Sequence, residues 1–103
     1  MTDYDTERVS PKEAGLKINE ISRLGYITPT PHLSKRMGER HYDFQDLEQI
    51  LSFGKVKKPP EYDEKHGQWK YKVEGNTIDG EKATAVVAIL SHNEILGITI
   101  MDK

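Results

Sequence analysis

The sequence of 103 residues contains no cysteine, few aromatic residues and no long apolar segment. Without cysteine, disulfide bonds and thiolate zinc sites are excluded. No apolar run is long enough to span a membrane as a helix, and the acidic N-terminal residues 1–10 do not resemble a signal peptide. We therefore expect a cytoplasmic protein with no membrane association.

Several enzyme signatures are missing as well. The sequence has no glycine-rich phosphate loop, no nucleophile elbow and no paired-carboxylate motif, so a nucleoside-triphosphate enzyme or an acyl hydrolase has no support. No two histidines stand four residues apart, which is the spacing that helical metal ligands require. We therefore expect no metal site and no cofactor.

Charge is distributed unevenly along the chain, although the net charge is only −2 and the isoelectric point is about 6.1. This balance is not typical of a protein that coats nucleic acid non-specifically. Residues 10–42 and residues 55–72 each carry a net charge of +3, whereas the other segments are acidic. The two basic segments either converge on one patch or are separate solvated surfaces.

Apolar periodicity predicts three helices in the first half of the chain. The first covers about residues 11–24, where Ser10 and Glu13 have the spacing of a capping box. A second helix over about 31–40 follows a Thr-Pro pair and has a thin apolar face. A third helix, over about 43–54, begins with a capping aspartate and ends at a glycine.

Alternating patterns predict strands in the second half. Residues 68–74 alternate cleanly, residues 82–90 are apolar on both faces as in a central strand, and residues 95–101 form a closing strand. The prediction for the closing strand puts three residues on its core face: Leu96, Ile98 and Ile100. Residues 55–67 are expected to be mostly loop because two consecutive prolines exclude a central strand.

The expected fold is therefore α+β. About three N-terminal helices pack on a three- to four-stranded antiparallel sheet, in a single domain over residues 10–103. Residues 1–9 are expected to form a flexible tail.

His32, Arg36 and Arg40 are the strongest candidates for chemistry. At steps of four residues on a helix, each side chain is rotated only about 40° from the last, so the three form one stripe. Guanidinium suits phosphate, and imidazole titrates near neutrality. The histidine is therefore a candidate to accept a proton. The pattern favours a phosphate-bearing ligand.

The same stripe has a purely structural interpretation. Arg36 and Arg40 would pair with Glu39, Asp43 or Asp46, and the histidine would cap its own helix. Surface ion pairs of this kind are common and contribute little, about 1 kcal/mol or less.

The strand at 68–74 supplies further candidates. Lys70 and Lys72 share one face, where they either hold an RNA backbone or are ordinary solvated charge. Trp69 and Tyr71 lie on the other face, where strand aromatics are usually core, although exposed aromatics can stack on RNA bases. The Tyr71 hydroxyl is a candidate for the edge of the site.

Taken together, these segments resemble the DUF4258 family of small bacterial, archaeal and phage-borne proteins. The resemblance runs from about residue 10 to the end, through "HLSKRMGER", "YDFQDLEQILSFG", "WKYKVEG" and "ILGITIMD". The positions that match the family motif are His32, Arg36, Arg40, Trp69 and Tyr71. One departure is visible, because His41 and Tyr42 stand where the family often has glycine followed by isoleucine or valine.

The order of elements in this family is similar to BrnT and, more distantly, to RelE-type toxins, which are metal-independent ribonucleases. The resemblance implies an RNA-cleaving toxin with RNA as substrate and a cognate antitoxin as partner. The implied catalytic residues are His32, Arg36, Arg40 and Tyr71, and the implied substrate-binding residues are Lys70 and Lys72. The alternatives are a non-catalytic module that binds nucleic acid or protein through the arginine stripe, and a structural salt-bridge network.

Overall fold

The computed structural model describes residues 9–102, which form three helices and five strands. In chain order these are α1 (Pro11–Leu24), β1 (Tyr26–Pro29), α2 (Pro31–Arg40), α3 (Phe44–Phe53), β2 (Glu61–Asp63), β3 (Gln68–Asn76), β4 (Lys82–Ser91) and β5 (Glu94–Asp102). None of the helices in this part of the chain is long and apolar enough to cross a membrane. The α+β class and the three leading helices are confirmed.

The tail predicted over residues 1–9 lies outside the described residues except for Val9. That residue is buried, and its backbone N–H donates to the Tyr71 hydroxyl at 2.9 Å. Val9 is therefore part of the core, and the expectation that it belongs to a tail is wrong.

Helix starts are set by short polar side chains. The Ser10 hydroxyl accepts from the Glu13 N–H at 3.3 Å, as the N-cap prediction requires. The Glu13 carboxylate pairs with Lys17 at 3.8 Å. A reciprocal capping box is present at the start of α3, where Asp43 and Asp46 each bond the other's backbone N–H.

The sheet is mixed and has the strand order β1-β5-β4-β3-β2. Strand β1 runs parallel to β5, and the other pairs are antiparallel. The sheet therefore has one strand more than the three or four predicted, and the predicted antiparallel arrangement is wrong only at the β1 edge. Strands β1 and β2 have only four and three residues and lie close to prolines, so neither shows a strand pattern of its own.

The three helices and one face of the sheet share a single apolar core. The sheet contributes Tyr71, Val73, Ala83, Ala85, Val87, Ile89, Ile95 and Ile100 to this cluster. Thr84, Val86 and Ala88 alternate with these residues on β4 and are buried outside the cluster. Strand β4 is thus buried on both faces, as its sequence predicts.

The face of the sheet opposite the helices is named the helix-free face. It carries Lys70, Lys72 and Glu74 of β3, Thr84, Val86 and Ala88 of β4, and Leu96, Thr99 and Met101 of β5. Cross-strand pairing places Lys72 beside Val86 and Val86 beside Thr99, so these three form one row across the sheet.

A β-bulge in β5 overturns the predicted core face of that strand. Val86 pairs with Thr99, whereas the next residue, Val87, pairs with Gly97. The residue between the two β5 partners is therefore unpaired, and the alternation of faces shifts by one position. Of the three residues predicted to face the core, only Ile100 is fully buried.

Candidate functional site

Helix α2 follows β1 in the chain and lies beside the part of the β5 edge that β1 leaves unpaired. The β1–β5 pairing stops at Gly97, and the Thr30 N–H then donates to the Gly97 carbonyl at 2.9 Å. The Thr30 hydroxyl donates to the next edge carbonyl, that of Ile98, at 3.2 Å. The helix therefore runs beside the remaining part of β5, and its side chains meet that strand rather than open solvent alone.

His32 and Arg36 both contact β5 from this helix. The His32 Nε2 atom lies 3.2 Å from the Thr99 hydroxyl, and the Arg36 Nε–H donates to the Ile100 carbonyl at 3.3 Å. The two terminal nitrogens of Arg36 form no hydrogen bond or ion pair with any residue in the described range. Because the imidazole is exposed and these guanidinium donors remain unused, both residues can meet a ligand that arrives from solvent.

Arg40 has a closer partner at the end of β5. Its Nη1 atom donates to one Asp102 carboxylate oxygen at 2.8 Å, and the Tyr42 hydroxyl donates to the other at 2.6 Å. Burial and the negatively charged Asp102 beside it raise the pKa of Tyr42 to about 12. Arg40 therefore joins α2 to the end of β5, and its partner is not Asp43 or Asp46, the acidic residues that follow it in sequence.

His41 closes α2 with φ at 61°, in the left-handed region that favours glycine. Glycine adopts this conformation without steric cost, whereas a residue with a Cβ loses about 1–2 kcal/mol there. Tyr42 follows, packs partly against the core and reaches Asp102 with its hydroxyl.

Tyr71 and Trp69 do not lie beside the stripe of His32, Arg36 and Arg40. Tyr71 is 2% exposed, and its hydroxyl accepts from Val9 on the helix-covered side of the sheet. Trp69 packs against the same core and meets Tyr62 edge-on, with ring centroids 4.9 Å apart. The predicted catalytic use of Tyr71 therefore conflicts with its position, which makes it a core residue.

Lys70 and Lys72 lie on the helix-free face, and both are half-buried. Lys72 and Thr99 are separated by two strand spacings, so their backbones are about 10 Å apart. His32 contacts Thr99 from the other side. The structure therefore places Lys72 and His32 at opposite ends of one row across the same face.

Two further lysines reach this face from the loop before β2. Lys57, Lys58 and Lys72 line a cavity of about 390 Å³ together with Glu74, Thr84 and Met101. Sequence reasoning counted Lys57 and Lys58 in the second basic segment but did not single them out. The lysine-rich run "KVKK" was the available signal, and only the tertiary fold shows that it meets Lys72.

The arrangement presents an imidazole and a guanidinium to a common ligand on one side, and a group of lysines on the other. This set of groups is suited to an anion, because the guanidinium of Arg36 and the ammonium groups of Lys58 and Lys72 are cationic donors. Within residues 9–102, no three histidine, aspartate or glutamate side chains are grouped so that they could hold a metal ion.

Comparison with known proteins adds a family match. A family model described as a domain of unknown function, DUF4258, matches residues 30–102. The match begins at the N-cap of α2, so α1 and β1 lie outside it, although the resemblance had been expected from about residue 10. No curated protein and no solved structure matches the chain. The comparisons therefore do not extend to BrnT or to RelE-type toxins.

Proposed function

The chain belongs to the DUF4258 family, and from the geometry of α2 and β5 we propose that it binds RNA and cleaves it without a metal ion. One observation carries the proposal. The exposed His32 imidazole is held beside Thr99, and Arg36 stands one turn further along with its terminal nitrogens unused by the described residues. A proton-transfer group and a phosphate-binding group are thus adjacent on one side of the helix.

The proposed reaction is transphosphorylation within the RNA strand. His32 removes the proton of a ribose 2′-hydroxyl while the 2′-oxygen attacks the adjacent phosphorus. The bond from phosphorus to the 5′-oxygen breaks, and the imidazolium returns the proton to that departing oxygen. The products are a 2′,3′-cyclic phosphate and a 5′-hydroxyl end, and Arg36 stabilises the charge that develops on the phosphate oxygens.

The remaining members of the stripe have supporting roles in this proposal. Thr99 orients the imidazole through its hydroxyl, since the second ring nitrogen must face the substrate. Arg40 is a positioning residue, because its contact with Asp102 fixes the end of β5 beside the helix. Lys72 holds the RNA backbone from across the sheet.

The test is cleavage of a labelled single-stranded RNA in the presence of EDTA, with the ends of the products identified. We expect the wild-type protein to give 2′,3′-cyclic phosphate ends. His32→Ala should lower the cleavage rate by about 10²- to 10⁴-fold, the usual contribution of a general acid–base group. Arg36→Ala should lower it as well, and Arg36→Lys should restore only part of the activity because it lacks the guanidinium fork.

His92 offers a matched control, since it is an exposed histidine in the turn between β4 and β5. His92→Ala should cleave RNA as the wild type does. If the wild-type protein gives no cyclic phosphate, or if His32→Ala cleaves as fast as His92→Ala, the proposed reaction is wrong.

A second candidate function is binding without catalysis. It is favoured by the terminal nitrogens of Arg36, which have no partner among the described residues and can bind a phosphate without any proton transfer. This candidate predicts RNA binding that weakens steeply with added salt. It also predicts no cleavage, and an affinity that is unchanged in His32→Ala.

A toxin role is a further proposal that rests only on the order of elements expected from the sequence, since the comparisons do not extend to BrnT or RelE-type toxins. If cleavage occurs in cells, expression of the wild-type protein should arrest growth, and expression of His32→Ala should not. Growth arrest by both proteins would disconnect toxicity from the proposed site.

A further inference from the structure

The helix-free face contains a trough that follows β4. The side chains of Thr84, Val86 and Ala88 are small, and they are only 6%, 6% and 1% exposed, although they lie outside the apolar core. Their cross-strand neighbours include Lys72 and Glu74 on β3 and Thr99 and Met101 on β5, and the longer side chains among these cover much of the surface of β4. The small β4 residues therefore form the floor of the trough, and the longer flanking side chains stand above it.

One side of this trough has an excess of positive charge. Lys57 pairs with Glu74 at 3.7 Å, so these two charges compensate each other. Lys58 and Lys72 line the same cavity, and neither forms an ion pair within residues 9–102. Two uncompensated ammonium groups beside this cavity favour an anionic ligand.

The opposite side of the trough is bounded by His32 and Arg36 of α2. These residues reach it over β5, through Thr99 and the Ile100 carbonyl. The two cationic sides are separated by a floor of small, mostly apolar side chains. A ligand that meets both sides must therefore carry at least two separated negative charges.

We infer that this trough is the binding path for single-stranded RNA, with Lys58 and Lys72 forming a second phosphate subsite opposite His32 and Arg36. The inference rests on the proposed function and adds to it the substrate's path and strandedness. The flanking strands are about 10 Å apart, which is too narrow for a double helix and wide enough for one strand.

The composition of the face also predicts the manner of binding. None of the side chains that define the helix-free face is aromatic, so stacking contributes little and phosphate charge contributes most of the affinity. Binding should therefore depend strongly on salt and weakly on base sequence.

The experiment measures the affinity of a fluorescein-labelled 12-nucleotide 2′-O-methyl oligouridylate by fluorescence anisotropy. This probe lacks the 2′-hydroxyl, so binding is measured separately from the proposed cleavage. Lys58→Ala/Lys72→Ala should lower the affinity about tenfold, and the slope of log affinity against log salt should become shallower by about 1.4, or about 0.7 for each lost phosphate contact.

The control is Lys12→Ala/Lys65→Ala, which removes the same charge from two exposed lysines outside the helix-free face, one on α1 and one in the turn between β2 and β3. It should bind the probe within about twofold of the wild type. Urea unfolding of both double variants verifies that they remain folded. Because Lys72 is half-buried, Lys58→Ala/Lys72→Gln provides a second variant that retains most of the side-chain volume.

Equal loss of affinity in the two lysine pairs would overturn the inference, since it would reduce the effect to net charge. Equal or tighter binding of a 2′-O-methyl duplex of the same length would overturn the single-strand path. The path would also be overturned if the wild-type protein self-associates, and if the Lys58 and Lys72 variant loses this association while its RNA affinity is unchanged. The face would then be an interface between two copies of the protein.

The inference and the proposed function fail separately. If unmodified RNA is never cleaved but probe binding depends on Lys58 and Lys72, the ribonuclease proposal is wrong and the RNA path stands. If cleavage depends on His32 but the lysine variants bind and cleave normally, the reaction stands and the path is wrong.

Discussion

Helices α2 and α3 have the same length of ten residues and begin with similar caps, yet they are held in the fold in different ways. Helix α3 buries Leu47, Ile50 and Leu51 completely. Helix α2 buries Leu33 and Met37 and attaches its polar side to β5. The candidate site thus lies on the helix with the smaller apolar anchor.

The difference has an energetic consequence. A buried aliphatic side chain loses about 2–5 kcal/mol of stability on truncation, whereas a typical hydrogen bond contributes about 0.5–1.5 kcal/mol. Variants on the polar side of α2 should therefore leave the protein folded. This is the reason that function can be tested on α2 without confusing lost activity with lost structure.

The largest effect is expected for Ile50→Ala in α3. The side chain is fully buried, so its truncation should lower the free energy of unfolding by about 2–5 kcal/mol, measured by urea denaturation. Phe53→Ala, on the same helix but 67% exposed, should change it by less than about 0.5 kcal/mol. Similar losses in both variants would mean that α3 is not held mainly by its buried side.

A smaller effect is expected for Gly97→Ala, where α2 approaches β5. An added Cβ would lie 2.5 Å from Leu33 Cδ2, so the leucine must move, at a cost of about 1–3 kcal/mol. In the double variant Gly97→Ala/Leu33→Ala the clash is absent. The stability losses of Gly97→Ala and Leu33→Ala, added together, should therefore exceed the loss measured in the double variant. Strictly additive losses would contradict this contact.

Tyr42→Phe should cost about 1 kcal/mol at neutral pH, because Asp102 loses one donor. The pKa of Tyr42 is raised to about 12 in the folded protein from 10.0 in the unfolded chain. Its contribution to stability is therefore complete below pH 10 and is lost as the pH rises from 10 to 12. Urea unfolding should show a steeper decline over this range in the wild type than in Tyr42→Phe, and parallel declines would exclude the raised pKa.

Arg40→Ala should have a smaller effect, of about 0.2–1 kcal/mol, since both partners of the ion pair are exposed. The loss should shrink as salt is added, because solvent-exposed charges are screened. Measured by urea denaturation at low and high salt, a loss above about 2 kcal/mol that does not depend on salt would show that Arg40 is more deeply integrated in the fold than its contacts indicate.

The smallest effect on stability is expected for His32→Ala. The imidazole is exposed and has one hydrogen-bonding neighbour, so the free energy of unfolding should change by less than about 0.5 kcal/mol. The same variant carries the largest predicted loss of RNA cleavage. A large loss of stability in His32→Ala would favour the structural interpretation of the stripe.

The three helices and the three long strands could be predicted because each carries its own periodic pattern. Helix α1 lies between the serine and the glycine that indicate its ends, and α2 begins after the Thr-Pro pair that indicates its start. Strands β1 and β2 could not be predicted, because each gains its stability by pairing with a longer neighbour. The bulge in β5 was missed because the register between two strands is a property of the pair.

The candidate site shows the same division. The spacing of His32, Arg36 and Arg40 on one side of a helix follows from the sequence. Their contacts with Thr99, Ile100 and Asp102 join residues more than sixty positions apart, so no local sequence pattern predicts these contacts. The assignment of Tyr71 to the site follows from its hydroxyl and from the family resemblance, but strand alternation places it on the face opposite Lys70 and Lys72, where it is buried.

By itself, the sequence determined the α+β class, the three helices, the buried central strand and the stripe on α2, because each depends on periodicity within a few turns or one strand. The tertiary structure alone decided the mixed sheet, the attachment of α2 to the edge of β5, and the meeting of Lys57 and Lys58 with Lys72. These features depend on long-range pairing, in which edge carbonyls and charges acquire partners only after the chain has folded.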